Sequence, residues 1–137
     1  MVLKKLKAQK GAAAVELAII LPLLVMLLFG MIEFGIILYD KAMITNASRE
    51  GARKGILFVP GGISDSDIRK VVKNYCSGHM ITFGEDSIDD SDISITRAGG
   101  NLTVTVTYQY DFLVLPNFVT GIVGNINLSA VTTMMME

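Results

Sequence analysis

Residues 12–32 read AAAVELAIILPLLVMLLFGMI. This stretch decides the architecture. It carries a single charge, Glu16, and the sixteen residues from Leu17 to Ile32 carry none. As a helix rising ~1.5 Å per residue, it spans roughly 31 Å, close to the hydrocarbon thickness of a bilayer. Lipid offers no hydrogen-bond partner to a backbone, so a segment of this kind crosses as a helix. Pro22 would break a helix in water, but membrane helices tolerate proline, and it marks a candidate kink or helix-packing position.

On the N-terminal side lies MVLKKLKAQKG, with Lys4, Lys5, Lys7 and Lys10 and no acid. Short flanks rich in lysine stay in the cytoplasm, which puts everything after the span outside it. A cleavable secretory signal also has a basic start and an apolar core, but its core is usually only ~7–15 residues and ends at an A-x-A-like site. Here the core runs on into GMIEFGIILYDK, with no such site. The expected product is a single-pass protein of the cytoplasmic (inner) membrane.

The whole chain has 137 residues, 51% hydrophobic and 18% charged, against ~25% charged in average globular chains. The apolar excess is concentrated between Ala12 and Leu38. Removing the four leader lysines from the formal charge of −1 leaves −5 on the rest. That acidic body is unsuited to nucleic acid, which demands a basic face. Cys76 is the one cysteine, so no intramolecular disulfide forms, and it reads as a small half-buried helix residue. His79, the one histidine, lies three residues on, but no third group or nucleophile loop accompanies the pair.

Beyond the span, helical spacing continues. Tyr39, Ala42, Met43 and Ala47 predict an amphipathic stripe, with Asp40, Asn46, Arg49, Glu50 and Arg53 mostly on the other side. One helix over about 12–52 is expected, ended by Gly51, Gly55 and the VPGG run at 59–62. Arg49, Glu50 and Arg53 are either a solvated face or a docking face near the membrane. Glu33, near the outer end of the span, is either solvated at the interface or in a helix–helix contact within an assembly of subunits. It lies seventeen residues from Glu16, about 25 Å along the axis, so the two carboxylates cannot work as an acid/base pair.

The order basic leader, Gly11, AAAV, Glu16, unbroken apolar helix resembles the start of a type IV prepilin. From Gly11 to Gly55 the chain resembles the TadE-like family of minor pilins (pseudopilins) in Flp/Tad pilus systems, most clearly in AAAVE, LPLL, FGMIEFG and NASREGAR. The resemblance implies a prepilin peptidase cutting after Gly11, making Ala12 the new N-terminus and Glu16 the fifth mature residue. It also implies other pilin subunits and the Tad assembly machinery as partners, with lipid around the span. Leu17 departs from major Flp pilins, which usually carry an aromatic there and have almost no outer domain. Both differences favour a minor subunit.

The outer part reads as a small head. Ser64 followed by Asp67 is a capping signal, and Ile68, Val71, Val72 and Tyr75 share one helical face, with Ser77-Gly78 as the expected stop. Glu85, Asp86, Asp89, Asp90 and Asp92 form an acidic run that lacks the glycine of a calcium-binding EF-hand, and a solvated loop is expected there. Ile93–Arg97 and Asn101–Phe112 alternate around AGGN, a hairpin signal. Leu113 to Ile122 reads as a connection with one helical turn, and Ile126–Met134 as a last strand. The tail MMME is either exposed or the end of an edge strand. Asn46, Asn101 and Asn127 head N-x-S/T triplets of the kind that arise by chance.

The expected fold class is α+β. Residues 1–11 are a basic leader, 12–38 a transmembrane helix, 39–55 an extracytoplasmic helical stem, and 56–137 a head of one helix and three to four antiparallel strands. No cofactor, metal or small-molecule substrate is expected, and no zinc motif, phosphate loop or triad order supports an enzyme. Two functions follow: a minor pilin-like structural subunit, or an uncleaved membrane-anchored binding module.

Overall fold

The protein's computed structural model describes residues 2–82, 88–115, 121 and 124–136, with side chains from Gly11 onward. Helix α1 runs unbroken over Val2–Gly55, with Pro22 inside it. The missing proline N–H leaves one backbone carbonyl of the preceding turn without its helical donor. From Gly11 to Leu28 every residue of α1 is exposed, apolar side chains included. A bare apolar surface of that length is unstable in water and at home in lipid. Among the described residues this is the one helix long and apolar enough to cross a membrane.

The upper part of α1 is the backbone of the head. Helix α2 (Asp65–His79) and strands β1 (Ile93–Ala98), β2 (Asn101–Tyr110) and β3 (Ile126–Met135) pack around it. The strands form one antiparallel sheet in the order β1-β2-β3. The fold is therefore α+β, with two helices laid on one face of a three-stranded sheet.

Period-two alternation produces that face. Leu102, Val104, Val106, Tyr108 and Tyr110 of β2 are buried, flanked by Ile93 from β1 and by Leu128 and Ala130 from β3. Thr103, Thr105, Thr107 and Gln109 stand on the other side, where Thr103 and Thr133 share a cross-strand hydrogen bond of 2.9 Å. Gly99 and Gly100 take φ of +58° and +78°, as a tight two-residue hairpin demands. β1 and β3 end within a residue of expectation, whereas β2 stops at Tyr110, two residues short of the expected Phe112; the tail is an edge strand, since β3 runs to Met135 and the Met136 N–H bonds the Gly100 carbonyl at 2.7 Å. The expected helical turn after Leu113 falls largely on residues 116–120 and 122–123, outside the described residues.

Three local expectations are corrected. The buried stripe of α1 from residue 33 onward is Glu33, Asp40, Ile44, Ala47, Ser48, Gly51 and Ala52, with Tyr39 and Ala42 exposed. Asp40 therefore faces the head, because it accepts the Ile81 N–H at 2.9 Å. Gly51 does not end the helix. A Cβ there would stand 2.6 Å from Val72 Cγ2, and one on Gly55 would stand 2.7 Å from Ile68 Cδ1 and closer still to Leu102 Cδ2. These glycines let α2 and β2 approach α1. Helix α2 also passes through Ser77-Gly78 to His79, whose ring stacks on Tyr75 at 4.5 Å while Met80 N–H caps the Cys76 carbonyl. Its start is as expected, with Ser64 accepting the Asp67 N–H at 3.2 Å.

Candidate functional site

The most elaborate polar arrangement outside the secondary-structure ladders centres on Glu33. It is neither solvated nor set against another helix: its side chain is 1% exposed. One carboxylate oxygen accepts from Tyr110 Oη at 2.6 Å and Leu113 N–H at 2.8 Å. The other accepts from Val114 N–H at 2.7 Å and Leu115 N–H at 3.1 Å. Three successive N–H groups converging on one anion form a backbone nest, filled here by the chain's own carboxylate. β2 delivers Tyr110 to this point, with Tyr108, Tyr110 and Phe112 in edge-to-face contact at 6.4 and 5.9 Å. Burial foremost, then the bond to Glu33, pushes the Tyr110 phenol above its ordinary range, so it remains a donor.

Two turns further up α1, Asp40 is fully buried. Its Oδ1 holds Ile81 N–H, while Oδ2 has no hydrogen-bond partner among the described residues. Burial raises the Asp40 carboxyl above its ordinary value, and the bond from Ile81 offsets this only in part. Cys76 lies close by in the core. Burial first, and the Asp40 charge second, push its thiol up to about 12. Such a thiol is unreactive near neutral pH. His79 bonds its own helix through Nδ1 and the Tyr75 carbonyl at 2.8 Å, so the pair forms no catalytic unit.

The remaining expected site residues stay apart. Gly11, Ala12 and Glu16 are exposed on the helical rod, as is Pro22. Arg49 and Arg53 lie on the face of α1 turned from the head, and Arg53 pairs with Glu50 at 2.6 Å. That bond lowers the Glu50 pKa, but in a solvated pair of this kind it adds little to stability. The four lysine side chains of the leader lie outside the described residues, as do Glu85 and Asp86 of the acidic run. Asp90 pairs with Lys73 at 3.0 Å, and Asp92 accepts the Asp89 N–H at 2.9 Å. Among the described residues no cluster of His, Cys, Asp or Glu is arranged to hold a metal.

Far from the span, the 56–63 loop exposes Leu57, Phe58 and Val59, with Phe58 95% exposed. Beside it a depression of about 330 Å³ is lined by Gly55, Ile63, Arg97 and Met136 among others. Arg97 is held by Asp65 and by the Ile63 carbonyl.

The family model for TadE-like protein matches residues 11–53. Over those residues the chain is similar to TadE-like proteins. No curated protein and no solved structure matches the chain. The TadE-like segment contains Glu16, Glu33, Asp40 and Gly51, whereas the donors that fill the Glu33 site come from the head beyond it. Sequence reasoning missed Tyr110, the three amides and the inward turn of Asp40. The available signal was the spacing 33, 40, 44, 47, 51, a heptad seam that places both carboxylates on the face of Ile44, Ala47 and Gly51.

Proposed function

We propose that this chain is a minor pilin-like structural subunit of a Tad/Flp-type system, delivered with its leader in the cytoplasm and its head outside. The observation that carries this reading is the rod itself: the helical residues that follow Gly11 form an exposed apolar surface bearing one carboxylate, Glu16. The match to TadE-like proteins from residue 11 supports it. On this reading a prepilin peptidase hydrolyses the Gly11–Ala12 bond. The new α-amino group on Ala12 is cationic near neutral pH. Glu16, one turn along, neutralises the amine of a neighbouring subunit, because opposite charges attract strongly in lipid and a lone one is penalised. The assembly machinery and other pilins are the partners, and the chain itself performs no reaction.

The exposed Phe58 tip favours a second reading, an uncleaved anchored module that holds a partner with its head. Mass spectrometry of the protein purified from its own cell separates the two. A mature chain starting at Ala12 is expected. An intact N-terminus in cells that contain the peptidase overturns the pilin reading and leaves the anchored module.

A further inference from the structure

We infer that the Phe112–Leu115 segment of the head is seated in the outer lipid interface, and that the Glu33 nest is what makes it tolerable there. The inference rests on α1 being the membrane anchor.

Height along α1 comes first. If residues 12–32 fill the ~30 Å hydrocarbon core, Glu33 is the first residue above it. Side chains on a helix tilt toward its N-terminus, so the Glu33 carboxylate reaches back toward the core. The amides of Leu113, Val114 and Leu115 lie within 3.1 Å of that carboxylate, so they share its depth. The polar interface of each leaflet is only about 5–8 Å thick, so a hydrocarbon span that ends at residue 32 puts this segment within it.

Chemistry comes second. Phe112, Leu113, Val114 and Leu115 carry no charge and are half-buried, with the rest of their surface free. Met31, Ile32, Phe34 and Leu38, the α1 residues that flank Glu33 in sequence, are likewise apolar and exposed. Irregular backbone is normally excluded from lipid because its N–H groups go unpaired. Here three consecutive N–H groups are paired by one buried carboxylate, so the segment presents side chains rather than bare amides. Asp111, exposed just before it, marks the headgroup level.

The chain contains no tryptophan, so single insertions report position cleanly. Full-length Leu24→Trp, Val114→Trp, Leu115→Trp and Phe58→Trp proteins would be reconstituted in phosphatidylcholine vesicles with acyl chains brominated either near the headgroup or near the methyl end. Leu24→Trp should be quenched, most strongly by deep bromines. Val114→Trp or Leu115→Trp should show a blue-shifted maximum and lose most of its emission to shallow bromines, while Phe58→Trp keeps its emission. Quenching at 24 with none at 114 or 115, or equal quenching at 58, overturns the inference. An unquenched Leu24→Trp overturns the anchor reading itself and this inference with it.

Discussion

Glu33 and Asp40 are buried carboxylates in one helix, two turns apart, and they behave oppositely because their donors differ. Glu33 has four donors on two oxygens. Truncating it strands a phenol and three amides, each costing of order 1–3 kcal/mol if left dry. Glu33→Ala should therefore destabilise the head by about 2–4 kcal/mol after water enters the gap, while Glu33→Gln, which keeps one acceptor but turns an amide donor toward other donors, should cost less. Urea titration in detergent micelles, followed by the tyrosine near-UV signal, checks both. Asp40 has one donor and an orphan oxygen, and its carboxyl titrates above its ordinary value. A raised folded-state value means that the native state holds the proton more tightly than the unfolded chain. The associated stability is present below the unfolded value and is lost as pH rises through the folded one. Asp40→Asn, which keeps an acceptor for Ile81 N–H, should flatten that decline. Its urea midpoint should exceed the parent's near pH 7 and converge with it in acid.

At the scale of elements, the close approach of α1, α2 and β2 is made by glycine. Adding one methyl at Gly55 places it in contact with Ile68 and Leu102, both buried on neighbouring elements. Overpacking of this kind costs about 1–3 kcal/mol and outweighs the gain of up to ~1 kcal/mol from better helix propensity. Gly78 is the internal control: it lies within α2 and a Cβ there would meet nothing within 4 Å. Thermal melts should show Gly55→Ala lowered and Gly78→Ala raised, the latter by about 0.5–1 kcal/mol. The same glycines show what a sequence can and cannot reveal. The hairpin was legible because alternation along 101–112 and the Gly99-Gly100 pair are local signals that agree with one another. Gly55 does close α1 as expected, but the close approach at Gly51 and Gly55 was not legible, since a glycine that ends a helix and one that admits a neighbour look alike until the neighbour is placed. Gly78 was misread for the same reason: a helical glycine is only mildly unfavourable, and the Tyr75–His79 stack carries α2 past it. Glu33 was seen, but its donors lie some eighty residues away in sequence, beyond any periodicity.

At the scale of the molecule, the chain divides its polar work between two ends of one helix. The upper carboxylates are consumed inside the head. Glu16 is exposed and is the sole charge from Ala12 to Ile32, and among the described residues nothing pairs with it. A carboxylate one turn inside a membrane helix costs a few kcal/mol on insertion scales, although a position near the helix end allows partial escape to the interface. If Glu16 served only the isolated chain, replacing it with alanine would ease insertion and change nothing else. If it meets the Ala12 amine of a neighbour, the replacement should separate insertion from assembly. Glu16→Ala should reach the membrane at least as well as the parent, keep its head folded, and be lost from the assembled pilus fraction. Loss of the neighbour's ion pair then leaves an unmatched amine in lipid at every contact, a penalty felt only in the assembly. Glu16→Gln is the sharper variant because it preserves shape and removes only the charge. Fractionation of cells expressing each variant reads the outcome directly: membrane content unchanged with pilus content depleted supports the pairing, and parental incorporation of Glu16→Gln rules it out.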